Sequence, residues 1–425
     1  MLKPTSSPEL LAVSFIFPPT ATPRALQVAR LLKHLRLNTI LVCADEQDVA
    51  RDPTIEPEAE AALRNCLRVS FSVKGWRKQV NRVASRFRLP LWNRVPDQHS
   101  WWQRRALRAI KEQVQKNERR PDLIVSFGQP MSDHLIGLRL KQIYGVPWLA
   151  HFSDPWVDNP FNHYDPLTRR INRSLEHKVI EAADRVVFTS QETVDLVMAK
   201  YPAEWRTKVR VLPHSFDPAM NLVGPNEESR TITVRHTGEF YGPRTPKPLV
   251  KTLRSIVSEG LLSLDGVCFE LIGHTDPVTL TNLGIEDLPQ GLVRFRPPVS
   301  YQESCSLAAA ANGLVIIDAP AAKSVFLPSK LIEYVGVGRP ILGITPPGAA
   351  ANLIKELGGW VADPSSPEAM KTTVVEFLSY LRNASLSGPW GNPEVRSRYE
   401  APVVSKSFEM MLRELLTNQR SLGPP

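Results

Sequence analysis

The sequence predicts an α/β protein built from two doubly wound parallel sheets in tandem. Three observations predict it. Strand-length apolar runs alternate with helical periodicity through the first half of the 425 residues. The same alternation starts again after about residue 230. Between the halves, residues 215–228 break the pattern with Pro218, Gly224, Pro225, Asn226 and a polar run. Strand, helix, strand, repeated, argues for parallel sheets covered on both faces. A chain of this length holds two large α/β domains and a sizeable core. At 42% hydrophobic and 22% charged residues it is not a collagen, a coiled coil or a disordered chain.

The elements follow in order. Residues 11–17 form an apolar run of strand length that ends at Pro18-Pro19. A helix opens near Pro23 and places Ala25, Val28, Leu32 and Leu35 on one face. Strands are expected at 39–43, 122–127, 146–151, 185–188 and 208–212. Helices are expected at 132–143 and 167–183, and another is capped by Thr189-Ser190. In the second half, strands are expected at 230–235, 267–272, 313–317 and 340–344. Helices are expected at 304–311, 347–356, 367–381 and 402–416. Residues 385–393, rich in Ser, Gly and Pro, read as a linker. The expected division is 1–215, 216–388 and 389–425, the last a linker and a helix returning to the first domain. Doubly wound sheets bind ligands at the carboxyl ends of their strands, which here would face a cleft between the domains.

Several classes are excluded. Cys43, Cys66, Cys268 and Cys305 are far apart along the chain and form neither a metal knuckle nor a secreted disulfide framework. No Asp-x-Asp pair occurs, so no metal site and no resident cofactor are expected. The N-terminus lacks an apolar core of signal-peptide type, and no apolar run approaches the ~20 residues of a membrane span. A cytoplasmic protein is the expectation. The net charge of +9 is uneven: residues 1–215 hold 33 Lys+Arg against 22 Asp+Glu. Residues 68–120 alone hold 15 against 3, interleaved with Phe71, Trp76, Phe87, Trp92, Trp101 and Trp102. Trp76, Arg77, Lys78, Val80, Arg82, Val83, Arg86 and Phe87 mix cations and apolar groups at roughly helical spacing. An anionic membrane surface suits such a patch, and a solvated helical face is the plainer reading. No nucleic-acid-binding motif accompanies it, so nucleic acid is not an expected partner.

Two constellations carry chemistry. In the first, Pro328-Ser329 starts a helix whose first-turn N–H groups attract an anion. Lys330 sits in that turn, where a cation opposes the helix dipole unless an anion is present. Glu333 lies on the same face and suits the hydroxyls of a ribose. The second runs from Thr237 to Arg244 after the first strand of the second half. Gly238 and Gly242 permit close backbone approach there, and Arg244 offers a fork of donors to phosphate.

These residues, in this order, resemble the glycosyltransferases of the GT-B superfamily, close to the group-4 bacterial enzymes of surface-polysaccharide synthesis. The resemblance rests on Phe17-Pro18-Pro19, Pro121 to Val125, Pro147-Trp148, Asp154-Pro155-Trp156, Glu181 to Val187 with Ser190, and Val211 to Asp217. It continues through Gly238 to Arg244 and Pro328 to Tyr334. It implies two Rossmann-like domains, an N-terminal one for the acceptor and a C-terminal one for a nucleotide-sugar. By the same resemblance Gly238, Gly242, Arg244, Ser329, Lys330, Leu331 and Glu333 bind the donor, and Pro19 and Thr20 bind the acceptor. Asp154 and His151 would be catalytic, beside the transferred sugar. The implied reaction moves a sugar to a lipid-linked or polysaccharide acceptor at the membrane face. Val325 stands where many group-4 enzymes have the first Glu of a Glu-x7-Glu pair, and Thr20-Ala21-Thr22 stand where many have glycines. A nucleotide-sugar epimerase and a non-catalytic binding protein are the alternative readings.

Overall fold

The computed structural model describes residues 7–46, 51–55, 59–71, 79–80, 83, 86, 91, 94–219, 231–240, 242–275, 280–281, 283–384 and 388–421. They form two units. One takes the described residues of Met1–Pro213 and Ala401–Pro425, the other those of His214–Glu400.

The first unit is a seven-stranded sheet of β1 (Glu9–Val13), β2 (Asn38–Glu46), β3 (Asn65–Phe71), β4 (Leu123–Phe127), β5 (Trp148–His151), β6 (Arg185–Phe188) and β7 (Val209–Val211). Every pairing is parallel, in the order β3-β2-β1-β4-β5-β6-β7. Alternate side chains serve opposite faces, as the strand period requires. Leu11, Val13 and Ile124 pack with Trp102, Ala106 and Ile110, while Leu10, Ala12 and Val125 pack with Val28, Leu32, Phe408 and Leu412. The helices are α1 (Pro23–Lys33), α2 (Trp102–Asn117), α3 (Ser132–Tyr144), α4 (Pro166–Ala182) and α5 (Gln191–Met198). Thr22, Asp165 and Ser190 cap α1, α4 and α5 by accepting first-turn N–H groups. A C-terminal helix, Ala401–Ser421, completes the unit, and its Ser405 hydroxyl donates to the Leu31 carbonyl at 2.8 Å.

Three expectations change here. β1 ends at Val13, because the Ser14 hydroxyl donates to the Ile16 carbonyl at 2.7 Å and turns the chain. Residues 68–71, read as part of a basic patch, belong to edge strand β3. Trp102, read as a patch aromatic, is fully buried and donates its indole N–H to Asp133. The thiols of Cys43 and Cys66, distant in sequence, lie 3.7 Å apart on neighbouring strands.

The second unit repeats the plan with six parallel strands: β8 (Ile232–Thr237), β9 (Val267–Ile272), β10 (Val293–Arg296), β11 (Gly313–Ile317), β12 (Ile341–Ile344) and β13 (Trp360–Ala362). Their order is β10-β9-β8-β11-β12-β13. The helices are α6 (Lys247–Ser258), α7 (Tyr301–Ala309), α8 (Ser329–Val337), α9 (Ala349–Glu356), α10 (Pro367–Asn383) and α11 (Pro393–Ser397). The described part of the expected linker is built into this unit. Trp390 donates its N–H to the Gly338 carbonyl at 2.8 Å, and Val395 is 3% exposed. Gly338, at φ +69°, leaves no room for a Cβ, which would stand 2.8 Å from Pro389. In each sheet the chain runs outward from its first strand and then returns to that strand's other side. The reversal falls between β1 and β4 in one unit and between β8 and β11 in the other. Such a crevice is where a doubly wound sheet takes a ligand. Among the described residues no helix is long and apolar enough to cross a membrane.

Candidate functional site

In the second unit the crevice is lined by cations on a rigid frame. The loop after β8 is held against the loop after β9. Gly238 donates to Ile272 at 2.8 Å, and Phe240 donates to His274 at 3.0 Å. Gly273 permits this approach, since a Cβ there would stand 2.0 Å from the Gly238 carbonyl oxygen. Gly242 lies in the left-handed region at φ +56°, and Tyr241 lies outside the described residues. Arg244 then reaches across the crevice and donates to Asp318, just past β11, at 3.1 Å. Asp318 also accepts from Thr345, just past β12, at 2.8 Å. Burial pushes the Asp318 carboxyl up, and Arg244 opposes that push.

Helix α8 enters from the other side. The Thr237 N–H at the end of β8 donates to the Tyr334 hydroxyl at 2.7 Å, which ties α8 to the strand. Helix geometry leaves the N–H groups of Ser329 and Lys330 without an intrahelical acceptor. Lys330 donates to Ser304 at 3.2 Å with its ammonium 6.0 Å above the Tyr301 ring. The Tyr301 hydroxyl donates to Glu333 at 2.7 Å, so α7 steadies both charged residues. Leu331 leaves the expected donor set. Its side chain is fully buried in the core, and its N–H is taken by the Pro328 carbonyl at 3.0 Å.

His236, a residue that sequence reasoning passed over, lies near the end of β8, where the loop to Arg244 begins and where Tyr334 ties α8. Its Nδ1 lies 3.0 Å from the Val315 carbonyl, which can only accept, so Nδ1 carries the proton and Nε2 the lone pair. Burial lowers its pKa to about 4 against the pull of that hydrogen bond, and the charges of Arg244 and Lys330 push it the same way. Among the described residues Nε2 has no hydrogen-bond partner, and it faces Gly238, where a Cβ would stand 3.1 Å away.

The first unit fills its crevice differently. Asp133, in the first turn of α3, accepts the Phe15 N–H at 2.6 Å and the Trp102 indole N–H at 2.8 Å. Burial pushes its carboxyl up to about 8 despite those hydrogen bonds. The polar groups open to chemistry lie one strand further on, past β5. Asp154 is half-buried and accepts from the Gln129 amide. Arg24, 4% exposed in the first turn of α1, lies 3.4 Å from His151 Nδ1 and donates to the His151 carbonyl at 3.1 Å. His151 is 2% exposed and packs between Phe127 and Phe408, inside the unit. Burial lowers Arg24 to about 10, and the nearby charges of Asp154 and Asp133 partly restore it. Pro19 and Thr20 sit half-buried on the loop after β1, where Asp52 donates to the Pro19 carbonyl at 2.8 Å and Arg68 to the Pro18 carbonyl at 2.7 Å.

Sequence reasoning missed Arg24, Asp133, His236 and Asp318. Arg24 carried a usable signal, a cation in a first helical turn, which is the argument that singled out Lys330. Of the basic patch, Trp76, Arg77, Lys78, Arg82, Phe87 and Trp92 lie outside the described residues. Val80, Val83 and Arg86 are exposed, and so are Arg104, Arg105, Arg108, Lys111 and Lys116 along α2. Among the described residues no group of three His, Cys, Asp or Glu side chains is placed to hold a metal ion.

Residues 20–214 match the family model of the glycosyl transferase 4-like domain. No curated protein matches the chain in sequence. Solved structures match over nearly the whole chain. Sucrose-phosphate synthase from Thermosynechococcus elongatus aligns with a TM-score of 0.65 at 15% identity, covering 97% of this chain and all of that one. Anabaena Alr3699/HepE in complex with UDP aligns at 0.64 and 14% identity, covering 96% of this chain and all of that one. The lipopolysaccharide outer core galactosyltransferase WaaB in its apo form aligns at 0.59 and 12% identity, over 96% and 99% of the two chains. At these identities the likeness is one of fold. Residues 20–214 therefore match a glycosyl transferase 4-like domain, and the chain as a whole has the GT-B fold.

Proposed function

We propose that the protein is a nucleotide-sugar-dependent glycosyltransferase whose acceptor is lipid-linked or a polysaccharide. One observation carries the reading. At the reversal point of the second sheet, the loop after β8 carries Arg244 across to Asp318, and Tyr334 ties α8, with Lys330 and the N–H groups of its opening turn, to the end of β8. A nucleoside diphosphate suits the cations and first-turn N–H groups of this arrangement. In this reading Arg244, Lys330 and the N–H groups of Ser329 and Lys330 stabilise the departing diphosphate, as donors aimed at developing charge do. Glu333, steadied by Tyr301, takes the ribose hydroxyls, and Gly238 and Gly242 let the backbone come close. No resident metal is assigned a step. In the first unit Asp154 takes the proton of the acceptor hydroxyl, whose oxygen bonds to the anomeric carbon as the bond from that carbon to the phosphate oxygen breaks. His151 orients Arg24 behind it, and Pro19 and Thr20 border the acceptor. HepE was solved with UDP, which makes UDP the first nucleotide to try. The exposed cations of α2 would hold the enzyme on an anionic leaflet.

The test is a screen of nucleotide-sugars that reads thermal stabilisation, hydrolysis and transfer to undecaprenyl-phosphate-linked sugars. Stabilisation by a nucleoside diphosphate with sugar transfer supports the reading. Epimer formation without an acceptor would make the protein an epimerase. Stabilisation with neither reaction would make it a binding protein, a result that Val325 in place of an acid would then help to explain.

A further inference from the structure

At the amino ends of β5, β6 and β7, away from Asp154, the first unit has an open pocket of about 770 Å³. Lys141, Arg185, Lys208 and Arg210 line it, with Glu181 and Asp184. Asp184 is already engaged, and the charges of Asp184 and Glu181 only partly offset the burial that depresses Lys208. Asp184 pairs with Lys141 and accepts the Trp148 N–H at 2.8 Å, and Glu181 stands out in solvent, 3.7 Å from His177. The remaining cations are poorly matched. Lys208 donates to the Glu181 carbonyl at 2.7 Å, and Arg210 donates to the carbonyls of Thr207 and Val209 at 2.8 Å. Arg185 meets Glu414 through Nη2 alone, at 3.1 Å. It is 6% exposed, and its Nε and Nη1 have no hydrogen-bond partner among the described residues. Burial and the charge of Arg210 both depress Arg185. The end of α4 explains Lys208, since a cation there complements a helix C-terminus. It does not explain two guanidiniums set against each other at the wall of a pocket this size, which lies within the range of ligand sites.

We propose that this pocket binds a phosphate-bearing anion, with Lys208 and Arg210 as its direct partners and Arg185 as the buried charge that it compensates. Phosphate fits because its oxygens accept from guanidinium and ammonium at once. The source is either a soluble phosphomonoester or a lipid headgroup, and the experiment separates the two. The full chain is titrated with inorganic phosphate, with glycerol 3-phosphate, and with phosphatidylcholine vesicles with and without phosphatidic acid. The same titrations are run on the Lys208→Ser/Arg210→Ser double variant and on Arg244→Ala. Both substituted positions of the double variant have solvent access, and melting curves check that each variant is folded. Saturable binding is expected in the wild type, weakened about tenfold or more in the double variant and kept in Arg244→Ala. Binding of the soluble compounds assigns the site to a metabolite, and binding only to phosphatidic acid vesicles assigns it to a headgroup. Arg185→Lys, which keeps the charge and changes the donor geometry, should weaken binding less than the double variant. The proposal fails if no probe binds, if the double variant binds as the wild type does, or if binding is lost in Arg244→Ala alone.

Discussion

The two reversal points, β1 beside β4 and β8 beside β11, are built alike and filled differently. Each is bridged by one buried carboxylate. Asp133 is met by two neutral donors, and burial pushes its carboxyl up to about 8. Asp318 is met by the guanidinium of Arg244 and the hydroxyl of Thr345. The first crevice is therefore closed by neutral packing that includes Phe15 and Trp102, and its charged groups are displaced toward β5. The second keeps cations at its mouth. Topology makes the same crevice twice, and the buried carboxylate meets neutral donors in one and a guanidinium in the other.

The largest expected effect tests where the first unit keeps its chemistry. Asp154→Asn preserves shape and an acceptor for Gln129 while removing the charge. It should lower kcat ~10²-fold or more, the scale of a lost general base, with UDP affinity unchanged. An active Asp154→Asn enzyme in steady-state kinetics would remove Asp154 from the chemistry and leave it the turn residue that holds Gln129.

Next comes the exchange of the two arginines. Arg244→Ala should weaken UDP binding by roughly 1.5–3 kcal/mol, and Lys330→Ala by a similar amount, because each removes a charge-assisted hydrogen bond. Arg24→Ala should leave UDP affinity alone and lower the melting temperature. Calorimetry and melting curves on all three decide it, and equal loss of affinity in Arg24→Ala and Arg244→Ala would break the contrast between the units.

The carboxylate and the histidine set opposite pH dependences. The folded pKa of Asp133 lies above its ordinary value of 3.8, so its contribution is present at low pH and is lost as pH rises through about 8. The folded pKa of His236 lies below 6.5, so its contribution is present above that and is lost as pH falls toward about 4. His134, also depressed by burial, adds to the acid side, so each residue is read by difference. Asp133→Asn should flatten the decline in stability from pH 4.5 to 8, and His236→Gln should flatten the loss below pH 6.5. Urea unfolding across that range measures both, and unchanged slopes would contradict the burial argument.

The smallest effect concerns Gly238. Its missing Cβ would press on His236 at 3.1 Å, so Gly238→Ala should cost about 1 kcal/mol of stability and weaken UDP binding only a few-fold. A large loss of affinity would mean that the added methyl itself meets the ligand.

Much of this was legible in the sequence, and the misses share a cause. Strands buried on both faces, such as β4, β11 and β12, announce themselves as continuous apolar runs. Edge strand β3 does not, because Arg68 and Ser70 alternate with Leu67 and Val69 and the segment read as a charged surface. Nor does β10, where Arg294 and Arg296 alternate with Val293 and Phe295, nor the three-residue β13. Helix α6 was passed over although its buried Leu249, Val250, Leu253 and Ile256 follow helical spacing. The helix start at Pro328-Ser329 was legible because its turn residues, Lys330 and Glu333 lie within two turns of one helix. Asp133 and Asp318 were not. Their partners Phe15 and Arg244 stand 118 and 74 residues away, and only the folded sheet brings them together.

The C-terminal helix has a consequence for the order in which the protein is made. Residues 214–400 are contiguous and leave the ribosome with all six described strands of their sheet present. The first unit begins earlier but lacks Phe408 and Leu412, which cover Leu10, Ala12, Val28 and Leu32, until the helix Ala401–Ser421 emerges. The second unit is thus synthesised as an insertion within the first. During synthesis one apolar face of the older sheet waits uncovered while the younger domain folds, so a chain stopped before Ala401 should aggregate through that face.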